Sequence, residues 1–434
     1  MSMAAQLRPG RTFASVARHR NYRLWFIGQA VSVSGTWVQS VAQSWLVLEL
    51  THSAGAVGIM AACQFGPFAV LGLLGGVISD RLDNRRTLVF TQAASMVCAA
   101  ALAVLALTHL AVVWEVDALA ALNGLVMVLD TPSRQAFTVQ MVGRRELPNA
   151  VALNSSLFNA SRIIGPGIGG LIIATAGVGL CFLINAASYL AVLAALLLMR
   201  PDELHPVERT PAGQSMIRGL RDGLAYAWAT PAVLLVLCVM LVVATVSINF
   251  NVLLPVLASH TLHAGPEAFG AVTACFGAGA LVGALLSATM ARASWPVLLG
   301  GAATLGAGEL VLAPQHSLVP ALLILAVVGA AFSLFTSNSN STLQLHVPDR
   351  LRGRVLSLYA YVFFGTAPLG GVLTGWLAQR GGTSAAFFIA GGTAVLAAAG
   401  GAVAWRRGLP AERRRRKVHL VADEAGAEAT ALIA

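Results

Sequence analysis

Residues Gly75–Arg86 read GGVISDRLDNRR, and apolar sequence runs almost unbroken on either side. Asp80, Arg81, Asp83, Arg85 and Arg86 crowd into one short interval between two long greasy stretches. Charge at this density needs water. The interval therefore reads as a link at a membrane face, and its flanks read as membrane-spanning helices.

The whole chain fits that reading. Of its 434 residues, 57% are hydrophobic and 11% charged, where a soluble domain carries about 25% charged residues. Apolar stretches of about 20 residues recur along the full length, as in a polytopic helical membrane protein. They predict segments at 24–48, 55–79, 88–108, 112–132, 150–173 and 178–199, then at 231–257, 268–290, 295–313, 318–341, 355–378 and 384–405. The expected fold is all-α, with twelve transmembrane helices in two six-helix bundles (6+6). A polar N-terminal segment, 1–23, precedes the first bundle, 24–199. A charged linker, 200–230, leads to the second bundle, 231–405, and a tail, 406–434, follows. Within the linker, Ser215–Thr230 has the pattern of an amphipathic surface helix. The tail reads as irregular chain, whose Arg413–Lys417 run can meet anionic lipid.

Arginine and lysine set the orientation. Of 28 such residues, 26 fall in the termini and in alternate links. Only Arg162, within segment five, and Arg380 do not. The positive-inside rule places both termini and these links in the cytoplasm. The net charge of +10 is thereby explained without nucleic acid. Segment 1–23 lacks an apolar run with a cleavage site, so no signal peptide is expected. The five cysteines, Cys63, Cys98, Cys181, Cys238 and Cys275, all lie in apolar segments with no CxxC spacing, which indicates neither disulfides nor a metal cluster. No metal or cofactor is expected. No P-loop, potassium-filter loop or nucleophile–base arrangement is present, so an enzyme is not expected.

The halves echo each other. Gly165-Pro166-Gly167 with Gly169 and Gly170 in segment five resembles Ala367-Pro368-Leu369-Gly370-Gly371 in segment eleven, and the two prolines stand 202 residues apart. Paired halves are a common transporter plan.

Gly76-x-x-x-Asp80-Arg81-x-x-x-Arg85-Arg86, following the second of twelve segments, resembles the loop signature of the major facilitator superfamily. Arg162-Ile-Ile-Gly165-Pro166-Gly-Ile-Gly169-Gly170 is similar to the Gly-Pro element of its proton-coupled exporters. DTPSRQAFTVQMV (130–142) and ARHRNYRLW (17–25) are similar to the branch that includes enterobactin and macrolide exporters. The resemblance implies the major facilitator fold, alternating access, and a conformational latch built on Gly76, Asp80, Arg81, Arg85 and Arg86 against segment eleven near Val355. The plainer reading of the same loop is a topology anchor. In the second half, Ser287 stands where the matching acid would be. For Gly165, Pro166, Gly169, Gly170 and Pro368 the residues themselves support helix bending and close packing.

Polar residues on apolar helices nominate the remaining sites. Ser32, Thr36, Gln39 and Gln43 share one face of segment one. Gln39 and Gln43, with Asn154, Asn159, Asn249, Asn338, Tyr359 and Tyr361, are candidates to line a substrate cavity; interhelix bonding is the alternative for Gln39 and Gln43, and packing for Tyr359 and Tyr361. Proton coupling requires a group that changes charge. Asp130, with Arg162, Glu115 and Asp117, are the candidates. Asp130 and Arg134 stand at helical spacing and also suit a structural pair, and Glu115 and Asp117 also suit surface acids. The expected function is a secondary transporter in a bacterial inner membrane, exporting amphipathic drug- or siderophore-like molecules by proton antiport. Its partners are then the small-molecule substrate, protons and membrane lipid, and it acts as a monomer. Proton-coupled uptake of a metabolite, or a non-transporting receptor or scaffold, are the alternatives.

Overall fold

A computed structural model describes residues 13–79, 81–206, 216–290 and 293–431. Among them secondary structure is helical throughout. Segment one is Arg20–Thr51, two is Ala54–Ser79 and three is Asn84–Leu107. Segments four and five form one helical run, Val113–Ala176, broken only where Gly143 adopts φ 71°. The link expected over 133–149 is therefore helical, because a single left-handed residue, which glycine adopts without Cβ strain, makes the whole turn. Segment six is Val178–Leu198, and an amphipathic helix covers Met216–Ala229 of the linker.

In the second half, segment seven departs from the expected single helix. Pro231–Val246 ends, Ser247–Asn249 break the ladder, and Phe250–Val256 continues into a π-turn at Leu257–Thr261. Segments eight, nine and ten are Pro266–Thr289, Trp295–Leu312 and Leu318–His346. Segment eleven begins at Asp349, earlier than expected, and breaks at Thr366. Gly382, φ 75°, separates it from segment twelve. The tail, expected as irregular chain, continues the last helix to Ala431. Pro368 thus stands at the start of a new helical stretch, whereas Pro166 lies inside one.

The halves repeat one packing plan. In the first, Gly75 abuts Val128 and Gly124 abuts Gln64, seating segment two on segment four. In the second, Gly279 abuts Ala326, Gly283 abuts Ala330 and Gly329 abuts Phe276, seating segment eight on segment ten. Lipid offers helices no hydrophobic drive to associate, so close backbone approach at small residues does that work. Segment three packs on six and four as segment nine packs on twelve and ten.

The halves meet along two seams. Gly58 of segment two lies against Gly371 and Gly375 of segment eleven, and Gly170 of segment five lies against Gly270 of segment eight. Gly55 N–H donates to Gln379 (3.4 Å), and Trp45 stacks on Phe269 at 5.9 Å. All of these lie at the end distal to the arginine-rich links. At the arginine-rich end, Gly76 and Gly353 have open space where a Cβ would be, and Val151 and Phe158 of segment five are each 50% exposed. The molecule is closed distally and open at its arginine-rich end.

Candidate functional site

The opening stretch builds the floor of the site. Gly75 lets segment two rest on segment four at Val128, and Ser79 shares a 2.9 Å hydrogen bond with Ser133. Asp83 caps segment three by accepting from the Arg86 N–H (2.8 Å), the usual role of aspartate at a helix start. Arg85 donates to the terminal carbonyls of segment six, Leu196 (2.9 Å) and Leu197 (3.3 Å). Arg81 and Arg86 are exposed. Asp80 lies outside the described residues, so the latch rests on sequence alone.

One helical turn below Ser133, Asp130 is 8% exposed and fully engaged. Its Oδ1 accepts from Thr91 Oγ1 (2.8 Å) and Gln92 Nε2 (2.7 Å) of segment three. Its Oδ2 accepts from Arg134 Nε (3.0 Å) and Nη2 (2.6 Å). Arg134 also donates to Gln29 Oε1 of segment one and lies 5.5 Å over the Trp25 ring. Charge-assisted two-point pairing of this kind fixes a guanidinium in place. Segments one, three and four are thus tied through one ion pair.

Arg134 faces a cavity of about 690 Å³ between segments one, four and five, lined also by Gln29, Thr138, Asn154, Phe158 and Asn159. Of the sequence candidates, Asn154 and Asn159 reach this cavity. Asn154 Oδ1 lies 3.0 Å from the Tyr22 hydroxyl, and Asn159 Nδ2 donates to Ser155 O (2.9 Å). Gln39 instead accepts from Asn185 of segment six (2.7 Å), and Gln43 is buried with its amide nitrogen unpaired. Asn249 Nδ2 bonds Thr245 O (2.9 Å) at the break in segment seven. Asn338 bonds Ser287 Oγ (3.4 Å), joining segments ten and eight. Tyr359 donates to Thr336 O (3.0 Å), and Tyr361 donates to Ala69 O across the halves. Glu115 accepts from the Val112 N–H (3.3 Å), capping its own helix, while Asp117 is half-buried with Oδ1 unpaired.

Arg162 does not meet Asp130. Its guanidinium lies 5.6 Å over Trp37 of segment one, 5.0 Å over Phe276 of segment eight and 5.1 Å over Phe332 of segment ten. No acid pairs with it among the described residues. Gly165 abuts Trp37, Gly169 abuts Val38, and the Pro166 carbonyl sits against Gly270. The glycine-proline element is what brings segment five close enough to both halves to place this cation between them.

Outside the spans, Glu146 in the link between segments four and five holds the N-terminal turn. It pairs with Arg18 (2.6 Å) and His19 (3.1 Å), and Asn149 accepts from the Ser15 N–H (3.0 Å). The Arg18 hydrogen bond holds the Glu146 carboxyl below the ordinary glutamate value.

Sequence reasoning missed Gln29, Trp25, Thr91 and Gln92, all brought to Asp130–Arg134 by tertiary packing. Glu309 was legible only as an acid near the outer end of segment nine, and its complete burial was not.

Comparisons with known proteins bear on this geometry. The family described as transmembrane secretion effector, within the major facilitator superfamily, matches residues 11–420. A multidrug efflux pump, Tap, of Mycolicibacterium fortuitum is 30% identical, with 82% of this chain and 88% of that protein covered. The staphyloferrin A transporter of Staphylococcus aureus is 28% identical over 82% and 89%. Macrolide efflux protein A of Streptococcus pyogenes is 23% identical over 85% and 92%. Among solved structures, the nucleoside transporter NupG superposes with a TM-score of 0.70 at 13% identity, covering 89% of this chain and 99% of its own. A D-xylose–proton symporter gives 0.67 at 17%, covering 89% and 95%.

Proposed function

The chain belongs to the transmembrane secretion effector family of the major facilitator superfamily, and we propose on that premise that it exports amphipathic, drug- or siderophore-like small molecules from a bacterial cell by proton antiport. Membership makes it a multi-pass membrane transporter and not an enzyme. The export direction and the substrate class rest on its efflux relatives. The observation that carries the coupling is the Asp130–Arg134 pair, buried between three segments and facing the cavity.

With the arginine-rich end in the cytoplasm, the conformation faces inward. Substrate enters the cavity from the cytoplasm or inner leaflet. The bundles 24–199 and 231–405 then rock about the two seams, closing the cytoplasmic side and opening the other. The Gly76–Arg86 loop biases that closure through Asp80 and its arginines. A proton arriving at Asp130 removes the charge that holds Arg134 in two-point contact. The guanidinium is then left to Gln29 and Trp25, and the junction of segments one, three and four loosens. Arg162, free of any described acid, is positioned at the meeting of the halves to attract an anionic group on a passing substrate. The cavity and both seams lie within one chain, which suits a monomer.

Asp130→Asn tests the coupling. It keeps the shape and the acceptor for Thr91 but loses the charge. Breaking a buried pair costs about 3–5 kcal/mol, and here less, because the Arg134 side chain is 32% exposed. The variant is expected to reach the membrane folded and to lose proton-driven export. Export with the pH dependence of the parent would sink the assignment.

A further inference from the structure

Segment nine carries a single acid, Glu309, with no exposed surface. Its Oε2 accepts from Ser247 Oγ (2.7 Å), and its Oε1 has no partner. Among the described residues no cation pairs with it. The elements packed on it offer none nearby. Segment twelve, 383–405, has no charged or titratable residue. Segment ten has only His346, at its far end, and segment seven has Cys238 and His260, both exposed. Arg380 of segment eleven is exposed and lies on Trp376, and His316 is in the link beyond. A carboxylate buried without a counter-charge costs several kcal/mol, so the group is held here as the neutral acid.

Its position makes that charge state consequential. Ser247, the one donor to Glu309 among the described residues, sits at the break in segment seven. Two residues on, Asn249 bonds back to Thr245, and both lie against Gly370 of segment eleven. The next residue, Gly371, forms the distal seam with Gly58 of segment two. A continuous path of contacts therefore joins Glu309 to the seam that closes the distal end. Glu309 is also near that end. At 1.5 Å per residue it lies about 21 Å along its helix from Trp295 and about 4.5 Å from the distal terminus at Leu312.

We infer that Glu309 is a proton-binding site that must be occupied for the distal end to close. When that end opens, water reaches the carboxyl, its O–H bond breaks and the proton passes to water. When a proton returns from the distal side, the neutral acid can be buried again, segment seven re-forms its break around Ser247, and the seam shuts. This goes beyond the antiport reading: the proton leaves to and returns from the distal side, so the site sets when that end can close and carries no net proton across the membrane.

Hydrogen–deuterium exchange of the full chain in lipid nanodiscs tests this, over a pD series from mildly acid to mildly alkaline. Wild type and variants are compared at each pD, so intrinsic exchange cancels. In the wild type, protection of peptides covering 51–61 and 366–381 is expected to fall as pD rises. Glu309→Gln is expected to lose that pD-dependent fall, staying protected throughout, and Glu309→Asp to keep it. Ser247→Ala, which removes the donor to the carboxylate, is expected to move its midpoint to higher pD, and it decides the matter should Glu309→Gln not fold. Unchanged pD dependence in Glu309→Gln, or a wild-type distal end indifferent to pD, overturns the inference. A distal response that follows Glu309 in a protein whose export ignores a protonophore refutes the antiport reading instead and leaves this site standing.

Discussion

Gly170→Ala adds one methyl group at the distal seam and penalises one conformation of the transporter selectively. A Cβ at Gly170 would lie 2.6 Å from the Pro266 carbonyl oxygen and 2.7 Å from Gly270 Cα. Both obstacles are backbone, so neither can swing aside, and segments five and eight must separate. Overpacking a tight contact costs about 1–3 kcal/mol. Segments five and eight belong to different bundles, so the cost falls on the distally closed arrangement and not on the fold of either half. The ratio of closed to open distal ends should drop about 5- to 150-fold. Gly270→Ala is the reciprocal test, since its Cβ would meet the Pro166 carbonyl at 2.7 Å. The two together should cost less than the sum, because the first has already parted the helices. Gly300→Ala, where a Cβ would meet nothing within 4 Å, is the control. Exchange of amide hydrogens in 166–178 and 262–270 reads the seam directly. Faster exchange in both seam variants with intact thermal stability is expected. Equal exchange in Gly170→Ala and Gly300→Ala would refute the reasoning.

The Arg162 cage sums three cation–π contacts of about 0.5–2 kcal/mol each. Arg162→Lys keeps the charge but not the flat face, and it should weaken binding of anionic substrates more than neutral ones in a binding titration; equal loss for both would reduce the residue to packing. Glu146 predicts an acid-sensitive N-terminus. Its carboxyl is held below the ordinary value by Arg18, so docking of Ala14–Arg18 is fully present above the ordinary glutamate pKa and is lost as pH falls through the lowered one. Tryptic cleavage at Arg18 should therefore be faster in Glu146→Gln than in the parent at neutral pH, where the parent's pairing is intact. No difference between the two proteins at neutral pH would count against the pairing.

What the sequence could disclose followed the range of each interaction. Helix existence was legible because twenty apolar residues have one stable arrangement in lipid. The turn at Gly143 was not, since apolar length marks where a span ends and not where one left-handed glycine turns the chain. The break at Ser247–Asn249 was hidden in an apolar run whose only marks are three polar residues in five. Within the site, Asp130 and Arg134 were visible together because four residues make one helical turn. Their partners Gln29, Thr91 and Gln92 were not, because packing across 38 to 105 residues of sequence brings them in. Gln39 showed the same limit from the other side: its place on a polar face was readable, its bond to Asn185 was not. Arg162 was singled out as the one cation within a segment, but its aromatic shell comes from both halves, and only their docking reveals it.

The most direct measurement is accumulation of a panel of labelled antibiotics, dyes and catechol-type iron chelators in efflux-deficient bacteria expressing the protein, with and without a protonophore. Proton-driven export predicts lowered accumulation of at least one compound, restored when the protonophore is added. Raised accumulation of a compound, or lowered accumulation that the protonophore leaves untouched, would contradict it.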